Sequence, residues 1–366
     1  MPFARRTTVA AAALSLLPAL SVVPGLATSE AAEPGASVLA PSDGGHRATI
    51  RRTSHGIPHI VADDFESLGF GHGYATAETN ICVLADTLVT ARGERSRWFG
   101  PDQRYSDQVT LNATNLQTDT LFTDIRNRGI VEELLADPVR GPGQESRALV
   151  KGYTAGVNKY LEDVGGPSGI TDPACAGEEW VQPATPEDLW YGVYAANLLA
   201  STGVFVPQIV DADPPTADDP GLPEVPASST FAPVPSELPS KDKLMAGLGK
   251  DPRSPFGSNA TALGSDVTST GKGMLLGNPH FPWRGRYRFT QSHLTIPGEY
   301  DVAGASLIGS PVVNIGWNND VAWSHTVSTA YRFTPYEYRL ASPLTPTTYL
   351  TDDGGTAELE HRTVQV

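Results

Sequence analysis

Eleven prolines fall within the 49 residues from Pro207 to Pro255. Proline fixes its own φ, offers no N–H and pushes its predecessor out of the helical region, so no long helix or central strand runs through such a segment. Runs such as Asp218-Asp219-Pro220-Gly221 and Pro226-Ala227-Ser228-Ser229 add few apolar side chains. The stretch cannot pack a core of its own. Residues 203–257 therefore read as a linker or an excised spacer between two regions of different texture.

Ahead of the spacer, Ala48–Arg52 and His59–Ala62 read as short strands, with Gly56 and Pro58 forcing a turn between them. From Asp64 to about Gly93 the apolar positions Leu68, Tyr74, Ala77, Ile81, Leu84 and Leu88 recur at threes and fours, which predicts a helix. The same spacing predicts helices over Ile130–Leu135, Ala148–Leu161 and Pro186–Leu199. Past the spacer, Gly and Asn turns separate strand-like runs at Ala260–Leu263, Gly273–Leu276, Tyr287–Thr295, Tyr300–Ala303, Pro311–Ile315, Val321–Ser324 and Thr334–Leu340. Helices followed by strands imply an α+β layered fold. With 40% hydrophobic and 18% charged residues, the chain can fill a large core. Val364 and Val366 alternate like a strand in progress and no stop signal follows. The expectation is a chain that finishes inside a sheet, as part of a longer protein.

The first 32 residues read as an export signal: Arg5 and Arg6 are a positive start, Val9–Val23 a short apolar run, and Gly25-Leu26-Ala27 and Ser29-Glu30-Ala31 small-residue cleavage sites. The run is too short for an anchor. Paired arginines also suit a twin-arginine route, with Thr7-Thr8 a partial match, and both export routes stay open. A secreted, soluble mature protein is expected, in a compartment that permits disulfides. Cys82 and Cys175 are the two cysteines, and one bridge or two separately buried thiols both fit. Lys and Arg number 26 against 41 Asp and Glu, a net charge of −15. That field repels phosphate backbones and anionic lipid, so neither nucleic acid nor membrane is expected as a partner.

The common catalytic signatures, G-x-S-x-G, H-E-x-x-H, C-x-x-C and the Walker loop, do not occur. His55 and His59 have helix-face spacing for a metal, but Gly56 and Pro58 between them forbid that helix. The informative place is the junction Ser254-Pro255-Phe256-Gly257-Ser258-Asn259-Ala260. Cutting Gly257–Ser258 would leave Ser258 as a new N-terminus, its hydroxyl the nucleophile and its own α-amine, with an ordinary pKa of about 7.7–8.0, the general base.

Gly257-Ser258-Asn259-Ala260, the run Leu275-Leu276-Gly277-Asn278-Pro279-His280-Phe281-Pro282-Trp283, and Val321-Ala322-Trp323-Ser324-His325-Thr326-Val327 together resemble the penicillin acylase family of N-terminal-nucleophile (Ntn) hydrolases. His55-Gly56-Ile57-Pro58-His59-Ile60 and Gly71-His72-Gly73-Tyr74-Ala75 through Glu78 look like that family's α-chain opening. The flavour is that of the actinobacterial branch of aculeacin, penicillin V and acyl-homoserine-lactone acylases. The resemblance covers residues 48–366 except the spacer. It implies a precursor that cuts itself into α and β chains, an Ntn-hydrolase αββα sandwich incomplete in this chain, and a small-molecule N-acyl substrate. It divides the chain into a signal peptide at 1–32, an α-chain region at 33–202, a pro-segment at 203–257 and the start of a β chain at 258–366. It makes Gly257–Ser258 the cleavage point, Ser258 the nucleophile, and the Val327 N–H and His280 the oxyanion donors. It places Phe281, Leu307 and Ile308 in the acyl pocket, with Trp283 and Val312 as weaker candidates.

Departures are visible. Thr261 stands where members often carry Trp, and Ser328-Thr329-Ala330-Tyr331-Arg332 lacks the acidic cluster that holds calcium in penicillin G acylases, so neither metal nor cofactor is expected. The family's second oxyanion donor, an Asn far into the β chain, would lie beyond Val366. The leading expectation is a secreted self-processing amidohydrolase that removes an apolar acyl group from an amide-linked natural product. Arg284, Arg286 and Arg288 keep alive a glutaryl-type acylase for polar acyl groups. An exported, non-enzymatic binding module with a Pro-rich hinge is the third reading.

Overall fold

A computed structural model describes residues 37–38, 45–109, 111–198, 201–213, 257–327, 334, 336, 338–342 and 345–366. The leader at 1–32 and most of the spacer lie outside the described residues, as do residues 328–333. Strands β1 (Ser37–Val38), β2 (Thr49–Arg52) and β3 (Pro58–Val61) are antiparallel neighbours, and Gly56, at φ 79°, turns β2 into β3. Helix α1 (Phe65–Arg92) has the ends its spacing predicts: Asp64 accepts from the Ser67 N–H at 2.7 Å, and Gly93 stops the helix at φ 70°. It bends at Asn80, whose side-chain oxygen accepts from Arg288.

Next come α2 (Arg95–Phe99), a hairpin of β4 (Arg104–Ser106) and β5 (Asn112–Thr114), α3 (Asn115–Asn127), α4 (Ile130–Ala136), α5 (Gln144–Asp163), α6 (Pro186–Asn197) and α7 (Val206–Val210). Apolar spacing predicts neither the hairpin nor α3. The helix α7 falls inside the segment that composition gives to the spacer. Pro207 sits in its first turn, where a missing N–H costs nothing, and Val206 is buried.

Past the spacer lie β6 (Gly257–Leu263), β7 (Met274–His280), β8 (Phe289–Ile296), β9 (Tyr300–Leu307), β10 (Ile315–Trp317), β11 (Ala322–Trp323), β12 (Leu340–Ser342), β13 (Thr345–Leu350) and β14 (Thr356–Glu358). The strand expected over Pro311–Ile315 begins only at Ile315, because the Ser306 and Ser310 hydroxyls both donate to the Val312 carbonyl and hold a turn there. The strand expected over Thr334–Leu340 starts at Leu340, and parts of that stretch lie outside the described residues. The tail expected to continue a sheet does not. The Leu359 N–H reaches the Thr347 carbonyl at 2.7 Å, then the ladder stops and Arg362 turns to Asp124 on α3 at 3.3 Å.

Seven strands form one sheet in the order β1-β2-β3-β8-β9-β10-β11. Its one parallel joint is β3–β8, where His59 stands opposite His293. Alternation sends Leu294, Ile296 and Val302 into a core with Ile60, Leu68 and Phe70, beneath α1 and α5, while Gln291, His293 and Thr295 point to the other face. The two helices touch backbone to backbone: a Cβ at Gly69, Gly73, Gly152 or Gly156 would come within 3.0 Å of the opposite helix. A second core joins α1, α5 and α6, and there Cys82 and Cys175 form a disulfide across a separation of 93 residues. The architecture is α+β, a helical layer on a sheet. Among the described residues no single helix is long and apolar enough to cross a membrane.

Candidate active site

Ser258 is the second residue of β6, half-buried, and its hydroxyl donates to the Gly257 carbonyl at 2.6 Å. Strand β7 runs antiparallel beside it, so Gly257 faces His280, Ser258 faces Pro279, and Asn259 faces Asn278. The period-two alternation puts Gly257, Asn259, Asn278 and His280 on one face of this hairpin and Ser258 with Pro279 on the other. A Cβ on Gly257 would stand 3.2 Å from His280 Nδ1, so the imidazole lies over the residue that precedes Ser258. The ring's other nitrogen, Nε2, is 3.2 Å from the Asn278 carboxamide nitrogen.

Val327 follows β11 and is half-buried. Three residues before it, Ser324 packs on Gly277 of β7, where an added Cβ would meet its hydroxyl at 2.8 Å. The segment that carries Val327 thus passes against the hairpin through Ser324. No hydrogen bond joins Val327 to Ser258 among the described residues.

The three pocket candidates come together in pairs. The Phe281 ring meets Phe289 edge-on at 5.7 Å and Tyr287 at 6.2 Å. Phe289 lies directly across β8–β9 from Leu307, so Phe281, Phe289 and Leu307 make one apolar strip. Leu307 and Ile308 also line a cavity of about 190 Å³ with Leu84, Leu189, Tyr287 and Arg286. Trp283 is 90% exposed and lines neither cavity, and Val312 lies on the turn before β10.

Arg286 is fully buried. Desolvation opposes its charge, but Tyr287, Tyr105 and Asp107 outweigh it and hold the guanidinium protonated above its ordinary range; Asp107 is 3.8 Å away. A larger cavity of about 460 Å³ is lined by Phe289, His72, Ser292, Arg52 and Arg288 among others. Burial drives the His72 imidazole down to about 4, and a bond to the Pro311 carbonyl at 3.4 Å only partly offsets it, so the ring is neutral at pH 7. His55 lines the same cavity, whereas His59 pairs with His293, Nδ1 to Nδ1, at 2.9 Å. Among the described residues no group of three His, Cys, Asp or Glu side chains is placed to hold a metal.

Motif reasoning overlooked Asn278 and Phe289. For Asn278 the signal was present: two residues apart on a strand, it must share a face with His280. Phe289 needed the β8–β9 register, which spacing alone does not set.

Compared with known proteins, residues 47–366 match the description of the penicillin amidase family. The chain belongs to that family. This penicillin amidase chain is 43% identical over 357 residues to an aculeacin-A acylase of Actinoplanes utahensis, covering 96% of the chain and 42% of that protein. It is 41% identical over 307 residues to an acyl-homoserine lactone acylase PvdQ of Pseudomonas syringae pv. tomato, covering 83% and 36%. The chain thus spans well under half the length of these curated relatives. Among solved structures, a thermostable penicillin G acylase from Alcaligenes faecalis aligns over 49% of this chain at 20% identity with a TM-score of 0.30, below the level at which a shared fold follows.

Proposed function

We propose that this penicillin amidase chain is the nucleophile-bearing part of an exported, self-processing acylase that removes an apolar acyl group from an amide-linked small molecule. In this reading 1–32 is a removed leader, 33–202 gives the α chain, 203–257 is cut away, and 258–366 opens the β chain of an αββα sandwich. The observation that carries it is the hairpin: a serine hydroxyl 2.6 Å from the carbonyl of the preceding glycine, with an imidazole over that glycine.

In processing, the Ser258 Oγ attacks the Gly257 carbonyl carbon, the C–N bond breaks to give an ester, and water hydrolyses the ester. The product is a free α-amine on Ser258. In turnover that amine takes the hydroxyl proton as Oγ attacks the substrate amide, then gives it to the leaving amine, and water releases the acid from the acyl-enzyme. The Val327 N–H and His280 donate to the oxyanion, and no cofactor is required.

The Phe281–Phe289–Leu307 strip and Ile308 suit an apolar acyl chain, each buried methylene adding about 0.8 kcal/mol. Arg286 in the wall of the smaller cavity, with Arg288 in the larger one, favours a polar acyl group such as glutaryl. Its charge already faces Asp107, which leaves the apolar reading ahead.

The test uses the full-length precursor. Mass spectrometry should find a chain that begins at Ser258, and Ser258→Ala should stay uncut and inactive. Rates should rise from acetyl through hexanoyl to longer chains. Cleavage of Ser258→Ala at the same bond would refute the nucleophile, and a preference for glutaryl over every apolar acyl group would overturn the substrate class.

A further inference from the structure

We propose that Asn278 is a positioning residue that sets which nitrogen of His280 carries the proton. The assignment rests on the acylase reading above. A neutral imidazole has one donor nitrogen and one acceptor nitrogen, and a carboxamide NH₂ can only donate. With the Asn278 Nδ2 at 3.2 Å from Nε2, Nε2 is the acceptor and the proton sits on Nδ1. Nδ1 is the atom that lies over Gly257, 3.2 Å from the place a Cβ would take.

That location matters because one nucleophile serves two reactions. The Ser258 hydroxyl attacks the Gly257 carbonyl in processing and the substrate carbonyl in turnover, so both electrophiles must occupy the same region beside Oγ. A donor on Nδ1 beside Gly257 stands next to the residue whose carbonyl is attacked in processing. The pairing is written into the strand: positions 278 and 280 share a face of β7, opposite Asn259 and Gly257. Without Asn278 the two tautomers of an exposed ring compete, and part of the enzyme presents a lone pair to a developing negative charge.

Three measurements on the full-length enzyme test this. In wild type, nitrogen NMR of labelled histidine should show His280 protonated on Nδ1; protonation on Nε2 would overturn the proposal. Asn278→Leu should lower kcat roughly fivefold with KM unchanged, the size expected for one neutral hydrogen bond. Asn278→Asp is the sharper variant, because its carboxylate accepts from Nε2–H and moves the proton off Nδ1. Its kcat should fall tenfold or more near pH 8, as for a lost oxyanion donor. The ratio of variant to wild-type kcat should climb as pH falls, when a second proton restores the donor on Nδ1. A merely structural asparagine would give a ratio that is flat with pH, and that result would overturn the proposal. Ser258→Ala assayed in parallel separates the two ideas. If it retains activity the acylase reading fails, whereas an inactive Ser258→Ala beside a flat Asn278→Asp ratio removes Asn278 alone.

Discussion

Alanine is the better helix former by about 1 kcal/mol, so replacing a helical glycine should ordinarily stabilise. At Gly156 the structure reverses the sign. A Cβ there would press on the Phe70 carbonyl of α1 and stand 2.7 Å from the Tyr74 backbone nitrogen, where ordinary contact begins at 3.4 Å. The obstacle is main chain, which no rotamer change can move, so α1 and α5 must part by at least 0.7 Å at this point, taking 2.7 to 3.4. A gap of that size forfeits roughly a quarter to a half of the dispersion attraction across it. Overpacking usually costs about 1–3 kcal/mol, and a rigid neighbour puts Gly156→Ala at the upper end. After the gain in propensity, a net loss of about 2 kcal/mol remains. Gly192 on α6 is the control: its nearest neighbour to an added Cβ is the Thr87 methyl at 3.9 Å, so Gly192→Ala should gain up to about 1 kcal/mol. Urea unfolding of the two variants should therefore move the midpoint in opposite directions. Equal or greater stability in Gly156→Ala than in wild type would show that the helices do not meet through backbone.

Two further outcomes follow from the packing. Breaking the Cys82–Cys175 bridge by double substitution to Ser should cost about 4–5 kcal/mol, because the 93-residue separation makes a long closed loop in the unfolded chain; a melting temperature indifferent to reductant would contradict it. His72 titrates near 6.5 when unfolded and at about 4 when folded, so the unfolded chain binds the extra proton as pH falls. Stability should drop progressively from about pH 6.5 to 4, by roughly 3 kcal/mol from this group. His72→Leu should lose that part of the slope whatever its stability at pH 7, and unchanged slopes would refute the assignment.

Much of this was legible before any fold was known, and the parts that were not share a cause. Asp64 and Gly93 announce the ends of α1 because capping is local chemistry. Gly56 and Pro58 announce the first turn for the same reason. Helix α3 escaped a search by apolar spacing although it carries a capping box, with Thr114 and Gln117 exchanging bonds of 3.1 and 2.9 Å. The end of the chain misled, since alternation at Val364 and Val366 describes a strand only if another strand lies beside it. At the site, the Gly257-Ser258 junction drew attention to Ser258, and the resemblance to the penicillin acylase family, not spacing, named His280. Which residue faces which required the β6–β7 register, fixed by the loop between two strands and not by either strand. The union of Leu307 with Phe281 likewise passes through Phe289 and a cross-strand pairing.

The parallel joint of β3 with β8 has a consequence for reversibility. It ties residues 58–61 to residues 289–296, one on each side of the proline-rich stretch, and the disulfide at 82 and 175 lies wholly before that stretch. If the chain is cut at Ser258, nothing covalent among the described residues links the two pieces. They remain together through ladder hydrogen bonds in the middle of a sheet and through the core beneath it. Dissociation would then require tearing a sheet apart, so separation and unfolding become one event. The return path differs from the outward one: the precursor folds with its two halves tethered, while separated pieces must first find each other in solution. Durability of the mature form would accordingly rest on the height of the barrier to opening that joint, and dilution after denaturation should not restore what synthesis as a single chain achieved.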